Sequence, residues 1–153
     1  MDQEARTQLT NLMSAVRWST LATTNADGSP LASEIAFACL RADGLVVHLS
    51  QLARHTRNLM ERPQFSLSVS EPDDGREDPQ TLARASLSGE AIIINRDDEH
   101  YASARRAYLA RLPEAEPRFD FGDFHLILLE VRSGQFVGGF ARAFKISASD
   151  LRC

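Results

Sequence analysis

The 153-residue chain is short of several things, and each shortage excludes a class of protein. It has only two cysteines, Cys39 and Cys153. They have no CxxC spacing and no histidine cluster beside them, so neither a disulfide framework nor a zinc site is expected. Cys39 sits in an apolar run and reads as a small buried hydrophobe. Positive charge is in deficit, with 17 Lys and Arg against 21 Asp and Glu, a net charge of -4. A general nucleic-acid binder needs a basic surface and is excluded on that ground. No apolar run approaches the ~20 residues that span a bilayer. The opening "MDQEARTQLTNLM" is polar and acidic and does not read as a signal peptide. A cytoplasmic chain with no nucleic-acid or membrane partner is the expectation. Internal repeats and low-complexity tails are also missing.

What is present is ordinary for a globular protein: 43% hydrophobic and 25% charged residues. The length suits one domain, residues 1–153, with a real core. Ala5, Leu9, Leu12, Met13 and Val16 recur at helical spacing, predicting an amphipathic helix over 2–17. "WSTLATT" (18–24) reads as a strand and "NADGSP" (25–30) as a turn. "LASEIAFACL" (31–40) and "LVVHLS" (45–50) flank "RADG", a hairpin signal. Residues 51–61 read as a helix stopped by Pro63. "QFSLSVSE" (64–71) alternates strictly, as a half-buried strand does. "PDDGREDP" (72–79) is an acidic loop that either is disordered or covers a cleft. Residues 81–95 form a long strand, with Gly89 marking a bulge. Residues 96–112 read as a helix with Asp97 and Asp98 near its start. Two strands, 123–131 and 135–141, form a last hairpin around "RSG". Six or seven strands without a βαβ rhythm predict a mainly β (α+β) antiparallel barrel with short flanking helices.

"LSQLARHTRNL" (49–59) crowds Arg54, His55 and Arg57 onto a helix start, where the dipole is already positive. Cations there repel the dipole by some tenths of a kcal/mol each. An anion between them reverses the sign, because unpaired N–H groups and the dipole both attract it. Phosphate suits the cluster, with Arg binding bidentately and Thr56 adding a hydroxyl. Ser50 is placed to cap the helix. The alternative is a solvated face whose arginines pair with Glu61, Glu71 or Asp73.

The order "LSQLARHTRNL", "RPQFSL", "ARASLSGEA" and "FVGGFARA" resembles the FMN-binding split-barrel flavoproteins of the pyridoxamine 5'-phosphate oxidase-like superfamily. It is closest to the haem-utilisation subgroup. The resemblance runs from about residue 30 to 145. It implies a six-stranded antiparallel split β-barrel that pairs as a homodimer, with FMN in clefts between subunits. Ser33, Glu34 and Ile35 would line the flavin ring, and Leu49 and Ser50 would come from the hairpin strand. Arg54 and His55 would hold the phosphate, with Thr56, Arg57 and Asn58 close by. Arg84 would approach the flavin, and Gly138 and Gly139 would lie near the cofactor or the dimer interface. Each of these has a plainer reading: Glu34 as an outward carboxylate, Arg84 paired with Glu90, the glycines relieving a tight hairpin. Arg142 would contact either substrate or Asp150.

"ARAFKIS" stands where the oxidase has its substrate segment, so pyridoxamine phosphate oxidation is not expected. The implied function is an FMN-dependent oxidoreductase of unknown small-molecule substrate. The alternatives are a haem-binding or haem-utilisation protein and a non-catalytic flavin-binding dimer. The deazaflavin F420 is a further cofactor of this superfamily. No Ser/His/Asp, Cys/His or paired-carboxylate pattern names a catalytic side chain, and no metal site is expected.

Overall fold

The computed structural model describes residues 1–41, 44–139 and 142–151. In chain order these form α1 (Gln3–Ala15), β1 (Trp18–Thr24), β2 (Pro30–Ala36), β3 (Ala38–Arg41), β4 (Gly44–Ser50), α2 (Arg54–Glu61), β5 (Gln64–Ser70), β6 (Arg84–Ile94), α3 (Tyr101–Arg111), β7 (Phe124–Val137) and β8 (Ala143–Ser147). Short 3₁₀ segments occupy Pro79–Thr81, Pro113–Asp120 and Ala148–Asp150.

All strand pairs are antiparallel, and the path through the sheet is β2-β1-β5-β6-β7-β4-β3, with β8 also on β7. The two edge strands, β2 and β3, are neighbours in sequence, joined through the fully buried Phe37. The sheet must therefore curl back on itself. Inside the curl lie Leu21, Leu45, Val47, Leu67, Leu87, Ile127, Leu129 and Phe136, and α1 adds Ala5, Leu9, Leu12 and Met13 to the same core. Strand alternation puts the intervening residues outside. On β4 and β7 those outer residues are Val46, His48, Leu126 and Leu128, which pack with Ala104 and Tyr108 of α3 and with Phe119. Covered on both faces, β4 reads as an unbroken apolar run.

Several expectations change. The sheet has eight strands, not six, because residues 31–40 divide at Phe37 and the last hairpin lies elsewhere. "RSG" is not a turn: β7 runs through it for 14 residues. Gly134 is there because a Cβ would come 2.5 Å from the Ser86 carbonyl oxygen, so the strands approach too closely for a side chain. The bulge expected at Gly89 is present, as a register shift between Ser88 and Gly89. The helix expected over 96–112 starts only at Tyr101, since Asp98 Oδ1 accepts the His100 N–H in a preceding turn. The helix expected over 51–61 starts at Arg54.

Cys39 is half-buried and packs against the main core, so it is less enclosed than its reading as a buried hydrophobe implied. Asp43 of the β3–β4 turn, Phe140 and Ala141 of "FVGGFARA", and Cys153 lie outside the described residues. Among the described residues no helix is long and apolar enough to cross a membrane.

Candidate functional site

The residues singled out in the sequence fall at two separate ends of the strands. One group surrounds the start of α2, next to the β1–β2 turn where Thr24 pairs with Pro30. Ser50 does not cap this helix. Its hydroxyl accepts the Leu52 N–H (3.1 Å) and donates to Asp123 (2.6 Å), and the N-cap residue is Ala53, with no side-chain bond. The Arg57 guanidinium donates to the Leu52 carbonyl at 2.8 Å, closing the turn that precedes the helix. Asn58 is buried and donates to Thr23 Oγ1 (3.0 Å) and Asn25 Oδ1 (2.9 Å), tying α2 to β1. Thr56 is fully buried, and its Oγ1 has no partner. Leu49 belongs to the barrel core.

Burial alone pushes the His55 imidazole below its ordinary 6.5, so its neutral form is favoured. Arg54 and Arg57 line a cleft of about 410 Å³ with Asn25, Asp27, Ser29 and Glu61. Asp27 is held below the usual carboxylate range by hydrogen bonds from Ser29, with a smaller pull from Arg54. This end therefore offers two cations and two carboxylates, without an apolar wall.

The second group lies where Trp18 pairs with Ala36. Ile35 is a core residue, Ser33 is half-buried opposite Leu21, and exposed Glu34 accepts the Thr20 hydroxyl. Arg84 does not pair with Glu90. It donates to the Gln80 (2.8 Å) and Leu82 (3.2 Å) carbonyls, and Glu90 binds Arg132 instead. Gly138 and Gly139 border a cleft of about 420 Å³ beside Gln8 and Arg76. A Cβ on Gly138 would meet Gln8 Oε1 at 2.6 Å, and Gly139 has φ +98°. Arg142 binds Asp2 and Glu4, while Asp150 binds Arg6. Within the acidic loop 72–79, Asp74 and Arg76 pair with each other. One chain thus does not bring Arg54–Asn58 together with Glu34, Arg84 and the glycines.

Sequence reasoning missed the features around the single tryptophan. Trp18 is 59% exposed and borders two clefts. One, about 460 Å³, contains Glu34, Ser68, Ser70 and Asp73. The other, about 400 Å³, lies between Trp18 and Ala36 on one side and Leu112, Ala115 and Arg118 on the other, with Arg17 at its rim. Arg111 stands close to Arg17, whose charge, after burial, pulls the Arg111 pKa down. Its Nη2 donates to the Val16 carbonyl at 2.7 Å, and its Nε is buried without a partner. Among the described residues none of Arg17, Arg111 and Arg118 takes part in an ion pair. The only advance signal was an arginine beside the sole aromatic of its strand.

His48 lies on the covered outer face of β4. It is 5% exposed and stacks on Phe119, with ring centroids 3.8 Å apart and planes 5° from parallel. Burial, with the nearby charges of Arg118 and Arg96, holds its pKa at about 4, so it is neutral at pH 7. Its Nδ1 has no partner.

The protein-family model described as "CREG, beta-barrel" matches residues 3–151. The chain is 34% identical over 134 residues to the Heme oxygenase HutZ of Vibrio cholerae, covering 86% of this chain and 74% of that protein. It is 35% identical over 119 residues to the Non-canonical heme oxygenase HOZ, chloroplastic, of Arabidopsis thaliana, covering 77% of this chain and 35% of that protein. The solved structure of a heme binding protein from Mycobacterium smegmatis superposes with a TM-score of 0.87 at 28% identity, covering 99% of this chain and 61% of that one. The chain thus spans about a third of the plant relative's length and under two thirds of the mycobacterial protein's. These proteins are named for heme and none for a flavin, which overturns the expectation of an FMN-dependent oxidoreductase. The split-barrel fold stands, and with the family model matching nearly end to end, the chain belongs to the CREG beta-barrel family.

Proposed function

We propose that this chain binds haem and serves haem utilisation. The observation that carries the reading is likeness at 34% identity, across 86% of the chain, to a protein named as a heme oxygenase. The described residues fit such a ligand at one end of the barrel. A tetrapyrrole needs an apolar or aromatic surface for its ring and cations for its two carboxylates. The α2 end has charge but no apolar wall. The Trp18 end has both: an exposed indole, the apolar walls of Leu112 and Ala115, and arginines without carboxylate partners. When bound, haem supplies redox-active iron. This chain's residues supply position, charge neutralisation and a wall against water.

We also propose that the protein pairs with a second copy of itself. Six strands share a bare outer face, and one row across it reads Lys145, Gln135, Ser86, Ser68, Thr20, Glu34. Two such faces related by a two-fold axis bring Lys145 of one copy to Glu34 of the other.

The haem test is titration of the purified chain with hemin, followed by its intense absorption near 400 nm, roughly, with FMN as the control ligand. Saturable hemin binding without FMN binding is expected. FMN binding without hemin binding would return the flavin reading.

A further inference from the structure

Building on the haem reading, we infer that the cleft beside Trp18 recognises a tetrapyrrole by its ring and its carboxylates, and not by its metal. Four observations converge there. Trp18 is the only tryptophan of the chain and leaves 59% of its surface in solvent, so its flat aromatic face is open to a planar ring. Arg17 and Arg118 line the same cleft. In a chain of net charge -4, neither has an ion-pair partner among the described residues. Arg111 stands close to Arg17: burial first, and then the Arg17 charge, lowers its pKa, and its Nε is buried and unpartnered.

Arg17 and Arg111 repel each other and Arg118 lines the same cleft, so this cationic rim beside an exposed indole is costly without an anion and favourable with one. Glu114 is the single carboxylate among the lining residues, so the local charge stays positive. A planar conjugated ring stacks on the indole, and two carboxylates on one edge of the ring reach Arg17 and Arg118. Leu112, Ala115 and Ala36 cover the rest of that edge.

The α2 cluster does not compete for this role. Its Arg57 is bonded to a backbone carbonyl and its cleft holds Asp27 and Glu61. Nor do the described residues lining this cleft supply an axial ligand: they include none of the His, Cys, Met or Tyr side chains that ligate haem iron. Recognition in this cleft therefore rests on the organic part of the ligand. A metal-free porphyrin dicarboxylate should bind there as hemin does, and so should an open-chain tetrapyrrole that keeps both acids.

The experiment compares metal-free protoporphyrin IX with its dimethyl ester, which has the same ring but no charge. Affinities come from porphyrin absorption and emission. Wild type should bind the free acid at least about tenfold more tightly than the ester, as a charge-assisted bond to each arginine requires. Arg17→Glu should weaken the acid about tenfold or more and leave the ester unchanged. Arg17→Glu with Arg118→Glu should weaken it about a hundredfold, and Trp18→Ala should weaken both ligands. Arg118 also bonds Tyr108, so circular dichroism checks the double variant. Arg17 is exposed, and its single variant decides the matter if the double one unfolds. Equal affinity for acid and ester, or an unchanged Arg17→Glu, would overturn the inference. Hemin binding without protoporphyrin binding would also overturn it, while leaving the haem reading intact. Binding of no tetrapyrrole at all would remove both.

Discussion

The outer face of the curled sheet has two halves. Over β3, β4 and the first part of β7 it is apolar and covered by α3 and the 3₁₀ segment Pro113–Asp120. Over β2, β1, β5, β6, the second part of β7 and β8 it is bare, and it carries Thr20, Ser68, Ser86, Gln135 and Lys145. The inner face is mostly apolar, with Ser19 and Thr23 of β1 as buried polar exceptions. The contrast shows that alternation in a strand reports how many faces are covered, not only that a strand exists. β5 alternates strictly because only its inner face is buried, whereas β4 is buried on both. The covered half is closed around His48, and the bare half ends at Trp18.

The sharpest way to break this comparison is to empty the covered half. Phe119 is 3% exposed, stacks on His48 and lies 5.1 Å from the Arg105 guanidinium carbon. Phe119→Ala should cost about 3–5 kcal/mol of folding stability, measured by urea denaturation at pH 7.5. A loss under about 1 kcal/mol would mean that α3 and its 3₁₀ segment add little to the fold.

Next in size is a pH effect confined to that half. His48 titrates at about 4 in the folded protein against an ordinary 6.5, because burial and the surrounding Arg118, Arg96, Arg105 and His125 charges disfavour its cation. The folded state therefore binds the proton later than the unfolded state as pH falls. Stability is full above about pH 6.5 and declines towards pH 4. The whole shift corresponds to about 3 kcal/mol. Screening at the rim of the cluster reduces the expected loss to roughly 2 kcal/mol. Unfolding curves at pH 7.5 and 4.5 should show that loss in wild type and less of it in His48→Phe. Parallel losses in the two proteins would place the acid sensitivity elsewhere.

The smallest expected effect is on the bare half. Ser68 is exposed at the centre of the polar row. Ser68→Arg should change the folding stability of the single chain by no more than about 0.5 kcal/mol. It should nonetheless split the proposed pair, read as a halved mass by light scattering. A wild-type monomer at micromolar concentration, or a variant that stays paired, would show that this face stays uncovered.

Much of the fold was legible beforehand. α1 follows from Leu9, Leu12 and Met13 at helical spacing, β5 from its alternation, and the bulge from Gly89. These are local consequences of backbone periodicity and of a glycine's lack of a Cβ. The β7 run was misread because glycine in "RSG" looks the same whether it turns a chain or lets two strands approach. Only the Ser86 carbonyl opposite Gly134 separates the two cases. The candidate site was less legible. "HTRNL" drew attention through its charge, yet Arg57 and Asn58 spend their polar groups on local structure and His55 is held neutral. Arg118 lies roughly a hundred residues along the chain from the adjacent pair Arg17 and Trp18, and no spacing rule joins them.

The sequence by itself determined the element types and the inner-face pattern, because helix and strand periods depend on neighbouring residues alone. The joining of β2 to β3 through Phe37 and the covering of β4 by α3 were decided only by the tertiary structure. So were the stacking of His48 on Phe119 and the gathering of arginines beside Trp18. Each of these depends on distances between residues far apart in the chain, and such distances exist only once the sheet has curled.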